Sequence, residues 1–430
     1  MRSASTSAGD VPDRADVVVI GGGVVGVTTA LNLAADGQKV VLVEKGRIAG
    51  EQSSRNWGWI RKQGRDPREL PLMIESTRQW ERLVADLPEE IGFGRHSTTY
   101  LAQSEDELAT HVAWLDSARD FQLDTRVLSA AETNTLLERD DSPFIGALHT
   151  PSDTTAEPRL AVPALARLAE TRGVTILEGC AARTVDRQGG RVSAVVTERG
   201  SIACEAAVLG GGAWSRTFLE NMGVFIPQLA VRSSAFRTTA APLIHTGGVG
   251  ATGASLRRRV DGGYTVGRTN AAAFDLIPAA FRHFGAFWPI VRARWRIMKI
   301  RPGPAFFGPL GRARWAADEV SPFEKVRVLD PAPDARLLDD MLATASLHPK
   351  LGDIKIAESW AGMIDVTPDE IPIIDEAPGT PGLWIVCGLS GHGFGIGPGV
   401  GWLTAQLVTG RAPQVDASPF ALSRFGKVVH

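Results

Sequence analysis

At 430 residues the chain is longer than the size at which a single hydrophobic core stops growing, so two structural units are expected. Hydrophobic residues at 44% and charged residues at 22% exclude wholesale disorder and a many-span membrane protein. Forty-six basic against 48 acidic residues give a net charge of −2, which lacks the basic excess of a protein built on phosphate backbones, and no nucleic-acid partner is expected.

The first fourteen residues, MRSASTSAGDVPDR, have no apolar stretch of signal-peptide or spanning length and read as a flexible tail. From Ala15 to Lys45 a β-branched run, glycines, a helix from Val25 to Asp36, a turn at Gly37 and a second run, VVLVEK, make one βαβ unit. A helix follows from about Leu72 to Leu87, with Met73, Trp80, Leu83 and Leu87 on one stripe. Short strands and polar helices alternate from Gly94 to Thr150. Pro158 to Arg172 reads as a helix leading into the strand Val174-TILEG, and Arg191-VSAVVTERGSIACEAAVLGGG as two strands about a turn and a buried run. Residues 226 to 270 read as antiparallel strands. Between 275 and 310, Phe281, Phe284, Phe287, Trp288, Trp295, Met298 and Phe306 interleave with Arg282, Arg292, Arg294, Arg296, Lys299 and Arg301. That segment is read either as a helical cap over a pocket or as a surface for a membrane or partner. Trp384-IVCGLSGHGFGIGPGVGWLTAQLVTG gives a buried strand, a glycine loop and a helix. Cys180, Cys204 and Cys387 show no paired spacing, so inert thiols in a reducing cytosol are expected, with neither disulfide nor zinc.

Gly21, Gly23 and Gly26 form G-x-G-x-x-G after a strand and at a helix opening, with Glu44 eighteen residues beyond Gly26. The first glycine makes a tight turn, the second admits a pyrophosphate to the backbone, and the third lets helix and strand pack. The acid takes ribose hydroxyls. A nicotinamide enzyme would continue its sheet at once. Here Gly50-EQSSRNWGWIRKQG follows, a polar loop fit to cover a larger cofactor, and Ser390-GHGFGIGPG forms a second backbone-rich cradle suited to a flavin's pyrimidine edge.

The opening VVVIGGGVVGVTTALNLAADGQKVVLVEKG, the EQSSR loop, AAVLGGGAWS at 206 to 215 and GLSGHGFGIGPGVG at 388 to 401 resemble the D-amino-acid oxidase, glycine oxidase and sarcosine oxidase superfamily. GEQSSR at 50 to 55, NMGVFIPQL at 221 to 229, SPFEKVRV at 321 to 328, TPDEIPII at 367 to 374 and SPFALSRF at 418 to 425 are most similar to Proteus-type L-amino acid deaminase. The resemblance implies an α/β chain, α+β overall, in which a Rossmann-type FAD-binding domain (15–90, 151–225, 355–430) is interleaved with an antiparallel-sheet substrate domain (91–150, 226–354). A helical insertion covers 275–320. It implies oxidation of an amino acid to an imino acid, hydrolysed to a keto acid and ammonia, with oxygen or a quinone as electron acceptor. A location in the cytoplasm, or at a membrane through 275–310, goes with it; the family's N-terminal membrane helix has no counterpart in residues 1–14.

The FAD set is then Gly21, Gly23, Val24, Val25, Gly26, Glu44 and Lys45; Gln52, Ser53, Ser54, Arg55 and Gly58; Ala182, Gly211 and Trp214; and Gly391, Gly393, Phe394, Gly395 and Ile396. Arg257, seven positions before Tyr264, matches the arginine that clamps the substrate carboxylate, with Arg259 as its rival. Trp59, where the family has glutamine, is a wall at the flavin face or a core residue. His392 supplies charge near the pyrimidine oxygen or is structural. Gly362 stands where sarcosine-type relatives carry a flavin-linking cysteine, so non-covalent FAD is expected. Oxidation of an N-substituted amino acid or opine, as a subunit of a complex, is the alternative. A transfer-RNA-modifying flavoenzyme and a non-catalytic flavin-bound interaction protein are the readings from other classes.

Overall fold

The computed structural model describes residues 11–140, 142–295, 299–311 and 314–426. The first ten residues of the expected tail, and Arg296 and Met298 of the aromatic segment, lie outside the described residues. The rest of the tail is not loose: Ala203 N–H donates to Asp13 O at 2.9 Å, and Arg14 bridges Ala203.

Strand β1 (Val17–Ile20), helix α1 (Val24–Ala35) and strand β2 (Val40–Val43) form the expected βαβ unit. β1 lies inside a six-stranded sheet whose order is Ile373–Glu376, Leu383–Cys387, Ala206–Leu209, β1, β2 and Thr175–Leu177. All its neighbours pair in parallel except the edge strand Ile373–Glu376. Elements cover both faces, which is why β1 and β2 are continuous Val, Ile and Leu runs with every residue buried.

The second layer is a larger sheet that runs from Ile356–Val366 through Leu229–Thr238, Tyr264–Asp275, Ser255–Arg258 and Gly248–Gly250 to Thr98–Ala102, Gly146–Thr150 and Arg126–Ser129. Ile356–Val366 pairs with Leu229–Thr238 over its whole length, so the return to the parallel sheet comes after Val366, later than the boundary read at 355. Among the described residues, no helix is long and apolar enough to cross a membrane.

The helix Gly393–Val408 packs against α1 and against the helix Leu70–Ala85. It contains Pro398, which lacks an N–H for the ladder. Ser76 enters at that point: its hydroxyl donates to Gly395 O at 2.8 Å and accepts from Gly399 N–H at 2.9 Å, while Trp80 Nε1 donates to the same carbonyl at 3.1 Å. The helix is thereby held with its first turn toward the gap between the two sheets.

Candidate active site

The carboxyl ends of β1, β2 and Ala206–Leu209 open onto one cavity of about 600 Å3, closed on the far side by the large sheet. Open α/β sheets place ligands at this edge. Gly21 holds φ +110°, which makes the tight turn, and a Cβ at Gly26 would lie 1.9 Å from Gly21 O, so α1 and β1 can approach only without one. Gly23 differs from both. A Cβ there would meet Ser53 Oγ alone, at 3.2 Å, so the reason for a glycine lies on the cavity side.

Both oxygens of Glu44 grip the turn, accepting from Gly22 N–H and Gly46 N–H at 2.7 Å each. Burial raises its pKa against these two bonds. A carboxylate has about four acceptor positions, so lone pairs remain for hydroxyl donors. Val24 N–H at the start of α1 donates to Ser53 Oγ at 2.8 Å.

The segment read from sequence as the EQSSR loop is a single helical turn, Gln52–Arg55, and with Glu51 and Asn56 it walls this end of the cavity. Glu51 accepts from Lys45 Nζ at 2.7 Å and from Trp214 Nε1 at 3.1 Å, and Lys45 also donates to Val326 O and Arg327 O at 2.9 and 3.0 Å. Arg55 donates to Leu329 O at 2.7 Å and Ala361 O at 3.0 Å. Gln52 Oε1 is buried at the cavity wall with no partner among the described residues. A Cβ on Gly362 would lie 2.1 Å from that oxygen, so the Gln52 amide fills the place of a side chain at 362.

At the other end, Gly391 at φ +85° turns the chain into the helix Gly393–Val408, and His392, Gly393 and Phe394 line the cavity. Two helix N-termini, one from each end of the chain, thus face the same space with their positive dipole ends. An elongated dinucleotide with a diphosphate in its middle and a ring that gains negative charge at one end fits these residues. The glycine turn, the orphaned Gln52 amide and the two helix starts would hold it.

Residues 16–407 match the DAO family model, described as FAD dependent oxidoreductase. The chain belongs to that family. Glycine oxidase of Pseudomonas putida is 27% identical over 423 residues, covering 94% of this chain and 97% of the relative. L-Amino acid deaminase from Proteus myxofaciens, solved in complex with anthranilate, superposes with a TM-score of 0.92 at 32% identity, covering 97% and 95% of the two chains. The enzyme of that name from Proteus vulgaris gives a TM-score of 0.91 at 30% identity over 97% and 98%. The fold class, the FAD cofactor and the oxidoreductase activity expected from the sequence are those of the DAO family.

Most of the expected cofactor residues line the cavity of this DAO-family chain: Gly21, Gly23, Val24, Val25, Glu44, Lys45, Gln52, Ser53, Arg55, Ala182, Gly211, Trp214, Gly391, Gly393 and Phe394. Gly26, Ser54, Gly58, Gly395 and Ile396 stand behind the wall. Ser54 donates to Glu51 O at 3.2 Å, and Ile396 is fully buried in the core. A Cβ on Gly58 would lie 2.3 Å from Ala156 O, and one on Gly395 3.1 Å from Trp59 O.

The substrate side corrects the sequence reading. Arg257 is 2% exposed, outside the cavity, and its fork is closed on Glu157: Nη1 to Oε1 at 2.9 Å and Nη2 to Oε2 at 3.1 Å. Arg259 makes the third member, 3.3 Å from Glu157 Oε2. Neither is free to clamp a substrate. Tyr264 is buried too, its hydroxyl donating to Pro242 O and accepting from Ile244 N–H, both at 2.9 Å. His392 meets the cavity but its Nε2 lies 2.7 Å from Glu69 Oε1, and burial, followed by the Arg65 charge, pushes its pKa down. Its ring is tethered to Glu69 and is not free to serve as a cation for the flavin ring.

Trp59 does line the cavity, with Trp57 and Tyr100 edge-on to it at 5.8 Å each. The cation that sequence reasoning missed is Arg268. The strand Tyr264–Asp275 pairs Gly267 with Ala235 and Ala272 with Ser233, so residues 268–271 stand opposite Ser234 alone. Such a bulge re-aims side chains. Arg268 lines the cavity, and no acceptor among the described residues takes its guanidinium. Simple strand alternation carries no signal of it.

Proposed function

We propose that this enzyme oxidises the carbon–nitrogen bond of an amino acid, with Arg268 binding the α-carboxylate. The observation that carries the reading is Arg268, without a partner among the described residues and placed by a bulge on the same cavity as the glycine cradles and the Trp57–Trp59–Tyr100 wall. A guanidinium fork fixes a carboxylate by two parallel bonds and thereby sets which face of Cα meets the ring. The aromatic wall excludes water from that face. Bound FAD supplies the two-electron acceptor. Cα–H departs with its electron pair, the free-base amine loses a proton as C=N forms, and water then releases ammonia and the keto acid. The P. putida relative and the two Proteus deaminases support this reading by name and by near-complete coverage.

Anaerobic mixing of the yellow holoprotein with L-, D- and N-alkyl amino acids tests it: one class bleaches the flavin, and bleaching by none overturns it. Arg268→Ala raises KM about 10- to 100-fold, the worth of a hydrogen bond to a charged group, while FAD content stays constant. An unchanged KM removes Arg268 from the site.

We further infer that the segment 275–310, through its described residues, rests on a membrane surface, where a quinone is within reach. Phe281, Trp288, Trp295 and Phe307 are each half or more exposed, with the exposed Arg292 and Arg301 beside them. Exposed rings flanked by cations partition to the headgroup layer of anionic lipid. The holoprotein floats with anionic vesicles, and flotation is lost when the segment is deleted. A wild-type protein that stays at the bottom of the gradient ends this reading.

A further inference from the structure

Arg268 is not the only cation on the cavity. Arg61 and Arg65 also line it. Arg61 sits over the Tyr100 ring, 5.3 Å from its centroid, and donates to Gln63 O. Arg65 makes no side-chain hydrogen bond or ion pair among the described residues, and its Nε is buried without a partner. Burial, and then the neighbouring Arg61 charge, push Arg65 down to about 9 against the attraction of Glu69, Tyr100 and Asp153. An arginine so placed is costly unless an anion joins it.

The acids nearby are already engaged. Glu69 is held by His392, and Asp153 by Lys62 through both its backbone N–H at 2.8 Å and its Nζ at 3.4 Å. Asp66 pairs with Arg68 at 3.0 Å, and Asp369 with Arg424 at 3.0 Å. The missing anion is therefore not supplied by these side chains.

The two cation positions are joined by the aromatic wall. Arg61 lies on Tyr100, Tyr100 meets Trp59, Trp59 meets Trp57, and the Trp57 ring packs on Gly267, next in sequence to Arg268. We infer that Arg65, with Arg61, forms a second anion-binding position across the wall from Arg268, and that the substrate is an amine carrying two acid groups. The inference rests on the proposed amine oxidation for the substrate's nitrogen, but not for the binding of its acids. The second acid belongs either to an acidic side chain or to a carboxyalkyl group on the nitrogen. Both present the same carboxylate to Arg65.

The test uses non-oxidisable ligands on the FAD-loaded protein, read by the flavin difference spectrum. Malonate, succinate, glutarate and adipate are titrated against butyrate. One of the four diacids binds at least about 10-fold more tightly than butyrate, Arg65→Gln erases the advantage, and Arg65→Lys keeps part of it. Equal affinity of all four and butyrate in the wild type overturns the second position, as does an advantage that survives Arg65→Gln. Anaerobic flavin reduction then separates the two sources: faster bleaching by L-aspartate or L-glutamate than by L-leucine places the acid on the side chain, and faster bleaching by iminodiacetate than by sarcosine places it on nitrogen. A diacid advantage in binding with no bleaching by any amine keeps the second position and sinks the amine-oxidation reading instead. Bleaching by L-leucine and sarcosine that outpaces every acidic counterpart overturns the substrate class.

Discussion

Gly23→Val gives a folded, colourless protein. Gly23 has φ −75° and ψ 176°, extended values that valine adopts readily, and its Cβ would touch Ser53 Oγ alone, at 3.2 Å. The methyl groups instead enter the space above the first N–H groups of α1, where a diphosphate must come within hydrogen-bond reach. Losing two or three such charge-assisted bonds costs about 3 kcal/mol or more, at least about 100-fold in FAD affinity. The ratio of flavin to protein absorbance after purification measures it, with thermal unfolding of the apoprotein within a few degrees of wild-type apoprotein. A yellow Gly23→Val protein overturns the assignment. Gly26→Val is the contrasting control: its side chain would collide with Gly21 O, so the fold itself fails.

Arg257→Ala lowers stability by about 3–5 kcal/mol, because removing one partner of a buried ion pair leaves the other unpaired. Glu157 is 2% exposed, and after the substitution only Arg259 and the Val260 N–H remain to it. Denaturant unfolding measures the loss. In the fraction that stays folded, KM is unchanged, the reverse of the result a carboxylate clamp would give. Acid modifies the outcome in a defined direction. Burial drives the Glu157 carboxyl up, but the Arg257 hydrogen bond and the Arg257 and Arg259 charges outweigh it and leave the pKa below its ordinary 4.5. A depressed carboxyl contributes stability that is whole above that value and is lost as pH falls through the folded pKa, so the gap between wild type and Arg257→Ala narrows in acid. A gap that widens instead would show that the pair is not what holds Arg257.

These two positions also mark what can be read from a sequence. Gly23 was legible because its meaning is local: strand, glycines, helix and Glu44 lie within one βαβ unit, and each neighbour is fixed by chain geometry. The second glycine loop, Ser390-GHGFGIGPG, is local in the same way: its Gly391, Gly393 and Phe394 line the cavity, and Gly395 stands behind it. Arg257 was not, since its partner Glu157 is 100 positions away and nothing local distinguishes a paired arginine from a free one. Arg268 depends on a cross-strand register, and Arg65 on which acids are already taken. Both are properties of three-dimensional packing. The helices near residues 70 and 158 came within two residues of their observed bounds because their apolar stripes repeat at the helical period.

The strand order of the parallel sheet also governs when this protein can acquire its cofactor during synthesis. β1 needs Ala206–Leu209 on one side, and that strand needs Leu383–Cys387. The helix start that completes the cavity follows at Gly393, near the end of the 430-residue chain. Until then the βαβ unit has apolar side chains on both faces, the backbone donors and acceptors of β1 unpaired on one edge, and half a binding site. Contacts of such long sequence separation form slowly and leave intermediates prone to aggregation. The cavity that would hold FAD is therefore complete only once the helix start at Gly393 has joined strands from the opposite end of the chain.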